Sequence, residues 1–202
     1  VYGTTETAPI AAYLRARQAL EHAGSVGMTA RHCELRIVGA NGHPVPKNTP
    51  GEIQIRGPNV MREYWNDPTE TDKAFVGKWF RTGDIGKSDA SGFLTIIDRQ
   101  KDLIISGGEN IYPAELEQIL ESHPGVSEAA VIEQEDVFWG AVPVAFVVRK
   151  DPNLTPSQIL KIFEGQIARF KRPKAIFFLD SLPRNTMGKV NKSTLKDLTP
   201  HD

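Results

Sequence analysis

The chain has 202 residues, with 24 Lys or Arg against 25 Asp or Glu and a formal net charge of -1. Hydrophobic residues make up 40% and charged residues 24%, an ordinary globular composition that excludes wholesale disorder and leaves enough chain for a core without covalent staples. Near-neutral charge gives no global pull towards nucleic acid, the single Cys33 excludes an intrachain disulfide framework, and the longest apolar run, residues 141–148 interrupted by Pro143, falls far short of the roughly 20 residues that span a bilayer.

The cysteine usage suits a reducing, cytoplasmic compartment. No charged-then-apolar leader opens the chain, and its first residue is Val1 rather than Met, so it reads as a piece of a longer polypeptide. Residues 1–27 carry little regular pattern and are expected to lack fixed structure away from their packing partners; residues 11–23 could form a short helix ending at Gly24. Residues 34–38 and 52–56 alternate polar and apolar side chains, as half-buried strands do, with a turn signal at Asn41-Gly42 between them. Asp67, Pro68 and Glu70 combine a cap, a first-turn proline and an acid at the third position, and so predict a helix start. Residues 93–97 predict another strand.

After Asp98 the texture changes. A short apolar run at 103–105 stops at Ser106-Gly107-Gly108. Pro113 opens a helix carrying Leu116, Ile119 and Leu120 on one face, ending near His123-Pro124-Gly125. Residues 126–132, 142–148 and 175–179 predict strands. Thr155-Pro156-Ser157-Gln158 is a capping box with proline in the first turn, and the helix behind it aligns Ile159, Ile162, Phe163, Ile167 and Phe170. The run Asp98-Arg99-Gln100-Lys101-Asp102 lacks the Gly and Pro of a passive linker and reads as a defined joint. The fold class is therefore α+β, with a strand-rich first half and a mixed α/β second half.

Charge is uneven. Between Arg169 and Lys196 stand eight basic residues (Arg169, Lys171, Arg172, Lys174, Arg184, Lys189, Lys192 and Lys196) against Asp180 alone, so this stretch carries +7 and the rest -8. Such a cluster is either a solvated basic face or the seat of a local polyanion such as a phosphorylated cofactor. No HExxH, paired-cysteine metal spacing, nucleophile elbow or Walker loop is present.

Five short segments could carry chemistry. Tyr2-Gly3-Thr4-Thr5-Glu6 offers close backbone approach, two hydroxyls for phosphate and a carboxylate for Mg²⁺. Phe80-Arg81-Thr82-Gly83-Asp84 offers a fixed carboxylate of the kind that accepts two bonds from a ribose diol. The third is the charged joint at 98–102, and the fourth is Ser106-Gly107-Gly108-Glu109-Asn110, a backbone slim enough for an elongated ligand. Pro183-Arg184-Asn185-Thr186-Met187-Gly188-Lys189 presents one lysine on a loop, able to meet phosphate and developing charge. Each alone also reads as a turn or a charged loop.

Taken in this order and at these spacings, the five segments resemble the adenylate-forming enzymes: acyl- and aryl-CoA synthetases, peptide-synthetase adenylation domains and firefly luciferase. The resemblance covers Tyr2 to about Asp197 and is densest from Gly51 to Glu117. It implies a two-step reaction in which a carboxylate attacks the α-phosphate of Mg-ATP, giving an acyl-adenylate and pyrophosphate, after which a thiol displaces AMP. It further implies a small domain that rotates between the steps. By the resemblance Thr5 contacts phosphate, Glu6 binds Mg²⁺, and Tyr2 and Gly3 line the adenine and acyl pocket. Asp84 and Arg99 hold the ribose, Lys101 is the hinge, and Lys189 bridges carboxylate and phosphate during adenylation. Ser106, Gly107 and Gly108 form part of a pantetheine tunnel, and Phe170, Lys171 and Arg172 contact the nucleotide end of coenzyme A.

The family's Ser/Thr/Gly-rich phosphate loop is absent from these residues. The implied organisation is a C-terminal portion of a longer enzyme, with residues 1–98 the β-barrel-like tail of the large AMP-binding domain, 99–101 the hinge and 102–202 the small mobile domain. The partners implied are the remaining N-terminal domain, a small carboxylic acid and coenzyme A, with self-association open. A fatty acid is the first expectation for the acid and an aryl acid the second. The alternatives are a carrier-protein or luciferase-like member of the superfamily, and a non-catalytic module of the same fold. Lys189 acetylation would switch adenylation off.

Overall fold

The computed structural model describes residues 1–199; the last three residues of the expected small domain lie outside them. The chain divides into two compact units, Val1–Lys101 and the residues from Asp102 on. The break falls in a short 3-10 turn at Gln100–Asp102, within the charged joint.

In the first unit, strands β1 (Ala12–Tyr13) and β2 (Met28–Thr29) pair with each other. β3 (Glu34–Val38) and β4 (Gly51–Arg56) form the antiparallel pair that their alternation predicts. Helix α1 (Pro68–Ala74) starts where expected, with the Asp67 carboxylate accepting from the Glu70 N–H at 3.0 Å. β5 (Phe75–Val76), β6 (Trp79–Ser88) and β7 (Leu94–Arg99) complete a five-stranded antiparallel sheet in which β6 bonds to β4, β5 and β7. The sheet is open, and no strand among the described residues closes it into a barrel. Its core is Ala11, Ala12, Ile37, Ile53, Ile55 and Leu94.

Two expectations fail in this unit. Residues 11–23 do not form a helix: Ala11 and Ala12 are fully buried, Ala12 is tied to Tyr2 and Thr29, and only a 3-10 turn at Ala16–Gln18 has helical geometry. Burial of two small side chains against the sheet overrides the local helical preference of alanine. For the same reason residues 1–27 have a defined place in the unit, with Val26 N–H bonded to the Leu94 carbonyl at 2.8 Å.

The second unit begins with the hairpin β8 (Ile104–Ser106) and β9 (Glu109–Ile111), followed by helix α2 (Pro113–Glu121). β10 (Val126–Asp136) and β11 (Gly140–Arg149) form a long hairpin, longer than the apolar runs alone predict. Helix α3 (Pro156–Ile162) has its capping box, with Thr155 N–H donating to Gln158 Oε1 at 2.8 Å. It stops sooner than the apolar spacing predicts, because Gly165 takes a left-handed φ of 78°; Phe163 is still fully buried, while Phe170 is 47% exposed in a later 3-10 turn. β12 (Ala175–Leu179) lies parallel to β11, and α4 (Lys192–Lys196) ends the unit.

Alternation along β10 and β11 gives this small sheet two apolar faces. Ala129, Val131, Ala145 and Val147 meet α2 and α3 through Leu116, Leu120 and Ile159. Ala130, Ile132, Val144 and Phe146 meet Leu182 and the α4 residue Leu195. No helix among the described residues is long and apolar enough to cross a membrane.

Candidate functional site

The first unit builds its polar site from a bulge. Glu52 of β4 stands opposite Ile85 of β6, and Gln54 opposite Arg81, so Thr82, Gly83 and Asp84 face Ile53 alone. Gly83 takes φ 67°, a conformation that costs a side-chain-bearing residue about 1–2 kcal/mol. The hydroxyl of Thr82 closes the bulge, donating to the Ile53 carbonyl at 2.7 Å and accepting from the Asp84 N–H at 3.1 Å. Asp84 is thereby fixed with 4% exposure. Tyr2 Oη donates to Asp84 Oδ2 at 2.7 Å, and Arg99 Nε lies 2.8 Å from Oδ1. The structure thus brings together three of the expected residues, Tyr2, Asp84 and Arg99. Burial, with the Asp84 carboxylate beside it, pushes the Tyr2 phenol well above its ordinary range.

Tyr2 opens the segment that carries the other expected residues of this unit. Gly3 is in close contact with the Pro9 carbonyl, and Thr5, Glu6 and Thr7 make one 3-10 turn. Glu6 is held from a second segment: Tyr64 Oη donates to its Oε1 at 2.9 Å, and Met61 N–H donates to its carbonyl at 2.8 Å. Asn59 Nδ2 donates to the Thr7 carbonyl at 2.8 Å, and Asn59 Oδ1 accepts from the Cys33 thiol. Burial works to raise the Glu6 carboxyl, but its own backbone N–H, Thr4, Tyr64 and the Arg99 charge outweigh that and keep it below the usual carboxylate range. Among the described residues there is no cluster of three or more His, Cys, Asp or Glu that could hold a metal ion. An ion at Glu6 would take its other ligands from water or a substrate, as Mg²⁺ commonly does.

Three residues of this site escaped the sequence reading. Thr82 sat inside a noted segment but signalled only a turn. Tyr64 and Asn59 carry no spacing signal at all, because their roles depend on a loop more than fifty residues upstream. The expected hinge residue Lys101 is exposed in the 3-10 turn at the end of the unit.

The second unit carries a groove of about 1110 Å³ between the β8–β9 turn and the segment after α3, lined among others by Ser106, Gly107, Trp139, Phe170 and Arg172. Gly107 lies directly under the Trp139 ring, and its N–H donates to the Trp139 carbonyl at 2.9 Å. Of the residues expected at coenzyme A, Ser106, Gly107, Phe170 and Arg172 line the groove. Gly108 and Lys171 do not. Lys171 is instead paired with Glu115 of α2 at 2.8 Å.

The basic stretch is largely neutralised. Lys171, Lys174, Arg184, Lys192 and Lys196 pair with Glu115, Asp136, Glu128, Glu117 and Glu133, carboxylates that α2 and β10 supply. Among the described residues Arg169, Arg172 and Lys189 have no carboxylate partner. Arg169 and Arg172 line the groove, and the buried Arg172 Nε has no acceptor. Lys189 is exposed on a turn between the bridged residues Arg184 and Val190.

Known proteins resemble this chain over nearly its whole length. The family model described as AMP-binding enzyme matches residues 1–65, and that described as AMP-binding enzyme C-terminal domain matches residues 115–189. The chain belongs to the adenylate-forming, AMP-binding superfamily. Over 199 residues it is 49% identical to an indoleacetate–CoA ligase of Aromatoleum aromaticum, covering 98% of this chain and 39% of that enzyme. It is 46% identical to a 2-succinylbenzoate–CoA ligase of a Geobacillus strain, over all of this chain and 41% of the relative. Among solved structures, o-succinylbenzoate CoA synthetase from Bacillus subtilis in complex with its acyl-adenylate intermediate superposes with a TM-score of 0.91 at 42% identity, over 97% of this chain and 40% of that one. This superfamily member therefore spans about two-fifths of the length of the relatives it matches.

Proposed function

We propose that this chain is the C-terminal part of an ATP-dependent carboxylate–CoA ligase, which first activates the acid as an acyl-adenylate and then transfers the acyl group to coenzyme A. Residues 1–98 would be the tail of the large domain, 99–101 the hinge and 102–202 the small mobile domain. The observation that carries the choice of coenzyme A is the groove of the second unit. Five basic residues of the stretch are spent on carboxylates, yet Arg169 and Arg172 line the groove with no carboxylate partner among the described residues, and the buried Arg172 Nε awaits an acceptor. Unpaired arginines beside Phe170 and Trp139 suit a phosphorylated, ring-bearing ligand end, and the narrow strip at Ser106 and Gly107 suits its slender arm.

In the first unit Asp84 would accept from both ribose hydroxyls. Each of its oxygens has one protein donor, Tyr2 or Arg99, and so keeps a lone pair for a sugar hydroxyl. Tyr2 and Gly3 would flank the nucleotide, and Thr5 would donate to phosphate. Glu6, kept ionised with Oε1 steadied by Tyr64, would bind Mg²⁺, which supplies charge neutralisation for the phosphates. The same Bacillus subtilis synthetase is also known in complex with ATP and magnesium ion, superposing with a TM-score of 0.89. Lys189, a cation with no carboxylate partner among the described residues, would meet the charge that develops on acid and phosphate as they join.

For the acid, the relatives' names favour an aryl-bearing carboxylate over a fatty acid: one acts on indoleacetate, the others on succinylbenzoate. The fatty-acid expectation gains no support from them and becomes the second choice. Acid-dependent ATP–pyrophosphate exchange by the full-length protein, over arylacetates, benzoates and fatty acids of graded length, tests the reading. Exchange with an aryl acid, followed by thioester formation with free coenzyme A, is expected. Thioester formation only on a carrier protein would replace coenzyme A as the acceptor, and no exchange with any acid would sink the ligase reading.

A further inference from the structure

The turn that presents Lys189 is braced by side chains to which nothing above gives a task. Arg184 Nη1 donates to the Gly188 carbonyl at 2.7 Å, and its Nη2 donates to Glu128 Oε2 on β10, also at 2.7 Å. Asn185 Oδ1 accepts from the N–H groups of Met187 and Lys189, each at 3.0 Å. The backbone closes the turn with Asn185 N–H on the Lys189 carbonyl and Gly188 N–H on the Asn185 carbonyl, both at 2.9 Å. The N–H and carbonyl of Lys189 and of Gly188 before it are thus anchored, while the Lys189 ammonium has no partner among the described residues.

A half-exposed arginine–glutamate pair would ordinarily add little to stability. Here one planar guanidinium joins two anchors on different elements, the carbonyl just before Lys189 and a carboxylate on the central hairpin. A turn closed by one bridged pair, Arg184 with Val190, can swing as a flap; this one is strapped to the sheet. We propose that Arg184 is a positioning residue for Lys189, fixing the backbone from which the lysine reaches so that only its side chain has to search. The proposal rests on the reading of Lys189 as the adenylation lysine. An ammonium in place of the guanidinium could serve either anchor well but not both in the same geometry.

The test uses Arg184→Gln and Arg184→Lys in the full-length protein, with the two half-reactions measured apart. Misplacement of a reacting group costs rate rather than affinity, so Arg184→Gln should lower kcat for pyrophosphate exchange by about tenfold to a hundredfold while KM for ATP and acid stays within about twofold. Thioester formation from supplied acyl-adenylate should be unchanged, amide exchange at residues 185–189 should accelerate, and Arg184→Lys should recover part of kcat. An unchanged exchange kcat, or an equal fall in both half-reactions, overturns the proposal. If Arg184→Gln does not fold, Glu128→Gln decides: it frees the strap only at the sheet and should give a smaller loss confined to the same half-reaction, and no loss overturns the proposal. A wild-type protein without exchange defeats the ligase reading instead; wild-type exchange that needs Lys189 but not Arg184 defeats this inference alone.

Discussion

Asp84 and Arg99 face each other across β6 and β7, joined by a 2.8 Å ion pair in which the carboxylate is 6% exposed and the guanidinium 52%. The two partners are therefore unequal. Removing the acid takes the carboxylate acceptor from the half-buried Tyr2 phenol, whereas removing the arginine leaves an acid that Tyr2 still serves.

Asp84→Ala should therefore destabilise the first unit by about 2 kcal/mol, while Arg99→Met should cost under about 1 kcal/mol because its charge is half in water. On a unit of this size the first change lowers Tm by roughly 10 °C. Thermal unfolding of the chain monitored by circular dichroism measures both, and an equal or reversed order would show that the tyrosine bond does not matter. In the full-length protein Asp84→Ala should also raise KM for ATP.

Thr82→Val keeps shape and removes the hydroxyl that closes the bulge. The Ile53 carbonyl and the Asp84 N–H lose their partner in a buried place, so a loss of about 1–3 kcal/mol is expected. Urea unfolding of the chain should show a lower midpoint with an unchanged slope. No shift in midpoint would mean that the backbone alone holds the bulge.

Lys189→Ala and Lys101→Pro should separate the two half-reactions of the full-length protein. Loss of a cation aimed at developing charge lowers pyrophosphate exchange by at least about a hundredfold and spares thioester formation from supplied acyl-adenylate. Lys101→Pro should do the reverse, sparing exchange and stopping overall turnover. If both variants lose both steps, the proposed division of labour is wrong.

Asp136 at the tip of the β10–β11 hairpin is kept below the usual carboxylate range by Lys174, with the N–H groups of Trp139 and Phe138 helping. A depressed folded pKa makes a contribution that is full above the ordinary value and is lost only as pH falls through the lower, folded value. The amide signals of Phe138 and Trp139 should therefore hold steady down through pH 3.8, the ordinary Asp value, and move together below it. A midpoint at or above 3.8 would remove the brace from under Trp139.

Much of the second unit was legible because its signals are local: a capping box, a proline at a helix start, and apolar runs that become β10, β11 and β12. In the first unit, β6 was hidden. Gly83 and Gly86 punctuate it as turns do, whereas one makes a bulge and the other packs tightly against Ile53. Motif residues could be noted one by one, but not their company. That Tyr64 steadies Glu6, or that Asn59 holds the Thr7 carbonyl, depends on where a distant loop lands, and no periodicity encodes that. The charge count was right as arithmetic and misleading as a map, since the carboxylates that cancel the basic stretch come from elements far upstream.

That cancellation has a consequence for selectivity. With five of the +7 charges matched one to one, the basic stretch retains about +2, and the matched pairs look nearly neutral from beyond a Debye length of about 8 Å. A long polyanion drifting past, such as RNA, meets almost no field to draw it in. A small anion entering the groove would meet the guanidinium groups of Arg169 and Arg172 at contact range, with Glu109 and Glu164 also on its lining. On the proposed reading, recognition would be decided after arrival rather than on approach, so the ligand's association rate should be nearly indifferent to salt while its residence time is not.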